Sequence, residues 1–305
     1  MADNIGVVIL HYGDIGNTKE CINSILKVRN VNLRLIVVIN PSVDTDKEDK
    51  FVDELKKKYP EMLVINNSKN RGFSEGNNLG IKKALYFSYP YVILLNNDTI
   101  VSSNLFEELI SYAIKNPEIG IISPKIYFVK GYEYHKARYR EDDKGKVIWY
   151  AGGIIDWDNI LAKHRGIDEV DRGQYEETSE TPFATGCCML IRKEVVEKIG
   201  LLDEKYFLYF EDVDYSLRAK KAGFKIVYFP KAHLWHKNAA SSGKPGSATH
   251  VYYQTRNRLY FGFKYASLST KKSLFFDSLK MIMKNNLHKK ACLDYYLGRM
   301  GKGDL

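Results

Sequence analysis

The feature that most constrains this chain is a series of short runs, rich in β-branched residues and apolar along their whole length, separated by segments of helical period. Ile5 to Leu10, Leu33 to Ile39, Leu63 to Asn66 and Tyr91 to Leu95 are the runs, and Thr18 to Val28, Lys47 to Tyr59 and Ser74 to Phe87 lie between them. A strand with one wet face alternates apolar and polar side chains, whereas a strand covered on both faces does not. Uninterrupted apolar strands alternating with helices predict an α/β fold, a parallel sheet flanked by helices.

From about residue 130 to 181 the alternation dissolves into charged and aromatic residues with Gly145, Gly152, Gly153, Gly166 and Gly173, the composition of hairpins and surface loops. Regularity returns with the run Gly186 to Ile191, a helix over Lys193 to Ile199, another near Asp212 to Ala222, and a strand Phe224 to Phe229 closed by Pro230. After Ser241 the stretch SSGKPGSATH introduces an aromatic, basic tail.

Composition adds limits. The 305 residues, 45% hydrophobic and 27% charged, suffice for a full core. Cys21, Cys187, Cys188 and Cys292 form no CxxC pair and no metal-finger spacing, which fits a reducing cytoplasm. The opening MADNIGVVILHYGD runs straight into a strand, so no signal peptide is expected, and no run approaches the roughly 18 apolar residues of a spanning helix. The net charge of +9 favours an anionic partner, whether a nucleotide, a phospholipid surface or a nucleic acid.

Ligands of open parallel sheets bind beyond the carboxyl ends of the strands, so the residues after each run are the first candidates. Tyr91 to Leu95 is followed by Asn96, Asn97 and Asp98, which are either an Asx turn or hard oxygen ligands for a nucleotide diphosphate and its Mg²⁺ or Mn²⁺. Asn70-Arg71-Gly72-Phe73 through Gly76-Asn77-Asn78 places small residues and amides before a helix, as a turn that caps it or as a close approach to a base or phosphate. Glu211 and Asp212 follow Phe207-Leu208-Tyr209-Phe210, where desolvation would raise a carboxyl towards a general base; a solvated first helical turn is the alternative. His236 lies six residues beyond Pro230 as a metal-ligand candidate, with spacing that does not separate it from His233.

In order, VILHYG, NRGFSEGNN, LLNNDT, GCCMLIRKEV, GLLDEKYFLYFEDVDYSLRAKKAGFKIVYFP and a final histidine closely resemble glycosyltransferase family 2, particularly its rhamnosyltransferase-like branch, over roughly residues 5 to 240. The resemblance implies a GT-A fold, a Rossmann-like mixed, mostly parallel sheet, with a nucleotide-binding part over about 1–125, an acceptor-binding part over about 126–240, and a basic, mainly helical extension over 241–305. By position Asp98 looks like the metal-binding acid of the family's DxD-type element, with Asn96 in place of its first Asp. Asp212, of the Glu211-Asp212 pair, looks like the catalytic base and His236 like a further metal ligand. Asn70, Gly72 and Asn77 fall near the nucleotide, and His11 and Asn97 join the donor-binding set. Where relatives commonly read VDNxSxD, this chain has Ile39 in place of the first Asp, which leaves Asn40 or Asp44 to contact the base or ribose.

The implied reaction is an inverting transfer of a sugar, dTDP-rhamnose first and a UDP-hexose second, to a hydroxyl of a glycan or lipid-linked acceptor in cell-surface polysaccharide synthesis, with Mn²⁺ or Mg²⁺ as cofactor. Arg256 and Arg258, beyond the Gly/Ser stretch, either close over the diphosphate or form a basic helix face in water. The tail from Arg256 carries 11 Lys/Arg against three Asp, and Phe276, Leu279, Met283 and Leu287 recur at helical spacing with Lys280 and Lys284 off the stripe. That stripe either lies on the cytoplasmic face of an anionic membrane or packs on the catalytic domain or a second subunit of a homodimer. A sugar-1-phosphate nucleotidyltransferase would carry a basic, glycine-rich loop after its first strand, unlike His11-Tyr12-Gly13-Asp14. A noncatalytic nucleic-acid module would leave Asp98, Glu211 and Asp212 without purpose, and no nucleic-acid partner is expected.

Overall fold

The computed structural model describes residues 5–29, 31–42, 45–237, 246–284 and 286–305. Strands β1 (Ile5–His11), β2 (Leu33–Ile39) and β3 (Leu63–Asn66) pair in parallel, and β4 (Tyr91–Asn96) joins the other side of β1, again in parallel. The period of two explains their unbroken apolar sequence. Val7, Ile9, Val37, Ile39 and Ile93 face a core shared with helices α1 (Ile15–Ile25) and α2 (Thr45–Lys58). Val8, Leu10, Ile36, Val38, Val92 and Leu94 face the other core, closed by α3 (Gly72–Tyr86).

The chain continues through β5 (Thr99–Val101), α4 (Leu105–Lys115) and β6 (Ile119–Phe128). The stretch expected to be hairpins and loops contributes β7 (Ile148–Tyr150), a separate hairpin of β8 (Gly153–Asp156) and β9 (Leu161–His164), and the short β10 (Ser179–Glu180). Then follow β11 (Cys188–Arg192), α5 (Lys193–Ile199), α6 (Glu211–Lys221) and β12 (Lys225–His236). The sheet runs β10-β12-β6-β11-β4-β1-β2-β3, with β5 on β12 and β7 on β6. It is mixed and mostly parallel: β11 lies antiparallel between β4 and β6, whereas β12 is parallel to β6.

Pro230 does not close the last strand. β12 passes through it with a register shift between Phe229 and His233, and such an irregularity absorbs a residue that cannot donate to the ladder. Helices α7 (Ala248–Tyr265), α8 (Leu268–Lys284) and α9 (Asn286–Tyr296) complete the described chain. Ser247 caps α7, its hydroxyl accepting from the His250 amide. Tyr252, Arg256, Asn257 and Phe261 of that helix are almost wholly buried, so α7 is built into the body of the molecule. No helix among the described residues is long and apolar enough to cross a membrane.

Candidate active site

A cavity of about 700 Å³ opens beyond the carboxyl ends of β1, β2 and β4. One wall carries Leu10, Tyr12, Asn40, Asn96, Asn97 and Asp98 from the strand ends, with Asn70, Gly72 and Phe73 from the turn into α3. The other carries Gly186 and Cys187, which precede β11, the loop residues Phe207, Leu208 and Tyr209, and Glu211 and Asp212 of α6.

On the strand-end wall the amides hold the backbone. The Asn70 side chain accepts from the Gly72 amide in an Asx turn. Asn40 donates to the Gly72 carbonyl at 2.8 Å and accepts from the Asn67 side chain. Gly72 sits at φ +71°, and a Cβ there would fall 2.6 Å from the Phe207 carbonyl oxygen, so only glycine fits. The Phe207 carbonyl in turn accepts from the Phe73 amide, which joins the two walls.

Asp98 and His236 meet because β5 pairs antiparallel with the end of β12, setting Thr99 opposite His236, while the Lys237 amide donates to the Asp98 carbonyl. The Asp98 Oδ1 and His236 Nε2 atoms are 3.0 Å apart, both residues are buried, and both line the cavity. Burial opposes ionisation of Asp98, but His236, and more weakly Lys237, outweigh it and hold its carboxyl below the usual range. His236 Nδ1 is buried without a hydrogen-bond partner, and Asp98 Oδ1 makes no hydrogen bond beyond its contact with His236 Nε2. A buried carboxylate oxygen and an imidazole nitrogen converging on a cavity wall suit a divalent cation. No group of three or more His, Cys, Asp or Glu is arranged for a metal among the described residues, so further ligands would come from a bound phosphate or water. His233 is not in the cavity that His236 lines; it packs against Tyr127 and Trp235.

Opposite them, Glu211 is buried and Asp212 half-buried at the start of α6. Burial pushes both carboxyls up, and the Asp212 charge pushes Glu211 further. Asp212 Oδ2 accepts from the Gly186 amide at 2.9 Å and Oδ1 from the Val213 amide at 2.8 Å, bonds that favour its charged form. Glu211 Oε2 has no partner at all. The two environments differ in sense: Glu211 holds its proton more tightly than Asp212, whose charged form two amides favour.

The loop that presents this pair is strained. Phe207, Tyr209 and Phe210 have φ of +63°, +72° and +73°, each costing about 1–3 kcal/mol for a non-glycine residue. Asn257 of α7 holds them: its amide nitrogen lies 2.8–2.9 Å from the carbonyls of Tyr206, Leu208 and Tyr209. Beside it the Arg256 guanidinium donates to the carbonyls of Tyr206 and Lys205 and lies over the Tyr252 and Tyr253 rings.

A family model described as "Glycosyltransferase like family 2" matches residues 3–262. The chain belongs to this glycosyltransferase family. Among its relatives is the low-salt glycan biosynthesis hexosyltransferase Agl10 of Haloferax volcanii, 26% identical over 85% of this chain and 75% of that protein. Another is the N-acetylglucosaminyl-diphospho-decaprenol L-rhamnosyltransferase of Mycobacterium tuberculosis, 30% identical over 50% of this chain, which spans about half (49%) of that relative. A crystal structure of GalNAc-T7 with UDP, GalNAc and Mn²⁺ superposes with a TM-score of 0.63 over 90% of this chain and 54% of that one, at 17% identity. The fold is GT-A.

Within this glycosyltransferase several expected donor contacts stand elsewhere. His11 is fully buried behind the cavity, with Nδ1 bonded to the Thr18 hydroxyl, because β1 turns it towards α1 and α2. Asn77 is buried in α3, donating to the Phe73 carbonyl. Arg256 is the loop support just described, and Arg258 bridges the Asn159 carbonyl and Asp277; neither borders the cavity, since α7 turns both away from it. Asp44 lies outside the described residues, and Ile39 is core.

Other cavity residues carried no motif. From the stretch read as loops come Trp149, Lys163, His164 and Ile167, and from the start of α7 come Thr249, His250 and Gln254. Trp149 lies edge-on between the rings of His164 and His236, at 4.3 and 4.5 Å, and so fixes the His236 imidazole. Burial lowers His164 to about 4, so it is neutral. The aromatic density of this stretch was the only signal for such a wall.

Proposed function

We propose that this family member transfers a sugar from a nucleoside diphosphate donor to an acceptor hydroxyl with inversion, and that Asp212 is the base. The observation that carries the proposal is the asymmetry of the acid pair, with Asp212 half-buried at the cavity and held by two amides beside a buried Glu211 whose Oε2 has no hydrogen-bond partner. The acceptor hydroxyl gives its proton to an Asp212 carboxylate oxygen as the acceptor oxygen bonds to the anomeric carbon. The bond from that carbon to the diphosphate oxygen breaks on the opposite face, and the diphosphate leaves with the electron pair.

Asp98 and His236 would hold Mn²⁺ or Mg²⁺, whose charge offsets that of the departing diphosphate. Asn40, Asn70, Gly72, Asn96 and Asn97 form the wall on which the nucleotide would lie. The donor is taken as dTDP-rhamnose first and a UDP-hexose second; the L-rhamnosyltransferase relative supports rhamnose as the sugar, and the N-acetylglucosaminyl-diphospho-decaprenol in its name supports a lipid-linked or glycan acceptor in polysaccharide synthesis.

Thermal-shift measurements across nucleotide sugars, with and without Mn²⁺, test this directly. Stabilisation by one donor that requires the metal is the expected result. The absence of metal-dependent stabilisation by every donor would count against the reading, as would a retained anomeric configuration in the product.

A further inference from the structure

One side of α8 is apolar and turned to solvent. Leu268 and Met283 are 85% and 86% exposed, Phe276 is 52% exposed, and Phe275 and Leu279 are 42% and 41% exposed, while Leu274 and Ser278 on the opposite side are buried. At 100° per residue the five exposed side chains fall in one stripe roughly 100° wide. Lys272 stands within it, and Lys271 and Lys280 stand beside its two edges. The one acid of the helix, Asp277, is paired with Arg258 at 2.9 Å.

The β8–β9 hairpin packs on the flank of α8 away from this stripe. Arg258 also donates to the Asn159 carbonyl in the hairpin turn, and Ile160 and Leu274 both close on Gly262 of α7. Trp157 of the turn stacks on Phe261 of α7 at 5.9 Å, and Ile154, Trp157 and Leu161 are themselves exposed. The same hairpin ends in Ala162, Lys163 and His164, which line the cavity.

We infer that α8 seats the protein on an anionic lipid bilayer, with the apolar stripe among the acyl chains and the lysines at the headgroups. A contiguous apolar face rimmed by lysines has the make-up of an interfacial helix. The charge pattern selects lipid over a second copy of the chain. Two copies apposed on this face would set lysine rows against one another, whereas anionic headgroups meet them with opposite charge. The inference does not depend on the donor, base or metal assignments, because it concerns a surface outside the cavity.

Co-sedimentation with vesicles of phosphatidylcholine, with and without phosphatidylglycerol, is the test. The full chain should bind phosphatidylglycerol vesicles and lose at least about tenfold in partitioning on pure phosphatidylcholine. The triple variant Phe276→Ser/Leu279→Ser/Met283→Ser should lose at least about tenfold on the anionic vesicles, with an unchanged melting temperature. Lys272→Glu/Lys280→Glu should weaken binding and flatten its salt dependence. Three results would each overturn the inference: a chain that stays in the supernatant with anionic vesicles, undiminished binding by the triple variant, or a dimer in solution that the triple variant converts to monomer.

Discussion

The strand-end wall of the cavity and the loop that faces it are held in place by different means. On the first wall, Asn40, Asn70 and Gly72 are fixed by bonds among neighbours at the ends of β2 and the start of α3, on a sheet whose strands are buried on both faces. On the second, Phe207, Tyr209 and Phe210 take backbone angles that bulky side chains resist, and Asn257, 51 residues beyond Tyr206, supplies the amide that fastens the loop. The first wall is held by bonds between near neighbours; the second is held by α7 and, at Phe207, by the Phe73 amide. A helix of the C-terminal region is therefore part of the machinery that aims Asp212.

Gly72 joins the two walls, and changing it should have the largest effect. Gly72→Ala forces a side chain onto φ +71° and against the Phe207 carbonyl, so about 2–4 kcal/mol of stability should be lost, with transfer down about a hundredfold or more. Denaturant melts and turnover assays would show it, and a near-normal variant would mean that the walls are not locked together there.

Asn257→Ala probes the second wall alone. Two N–H groups shared among three carbonyls are lost, at about 1 kcal/mol each, comparable with the strain at one of the loop residues they restrain. The turnover number should fall about tenfold to a hundredfold while donor affinity changes by less than about twofold. Asn257→Asp, which keeps the shape without the donor, should be no better. Equal losses in turnover and donor affinity would break the division between the walls.

His236→Ala should weaken donor binding by about tenfold when Mn²⁺ is present. A chelator should abolish the difference from wild type, and calorimetry in both conditions distinguishes metal loss from a collapsed wall.

The smallest expected effect concerns pH. Burial raises the folded-state pKa of the Glu211-Asp212 pair above its unfolded value, so the pair favours folding at acid pH, and that contribution declines as pH rises through the folded pKa. Glu211→Gln should therefore lose less melting temperature between acid and mildly alkaline pH than wild type. Transfer needs the deprotonated base, so its acid limb should lie above the usual carboxylate range.

How far the sequence foretells each wall follows from the same contrast. The runs Ile5 to Leu10 and Tyr91 to Leu95 reveal the parallel sheet and the positions of Asn96 and Asp98, because strand period and strand ends are local properties. His11 misleads for a local reason: it ends a strand, and only the tertiary structure shows which side of the sheet it faces. The partnership of Asp98 with His236 depends on β5 meeting β12, and that of Asn257 with residues 206–209 on helix docking. Neither pairing leaves a periodicity to detect, and Arg256, basic and beyond a Gly/Ser stretch, resembles a phosphate clamp until its buried carbonyl partners are known.

The central claim is that Asp212 is the base aimed by this paired architecture. Transfer by Asp212→Asn, measured with donor affinity on the same preparation, tests it most directly. Turnover should fall by about a thousandfold or more, with donor affinity within about threefold of wild type. Turnover at the wild-type rate would contradict it.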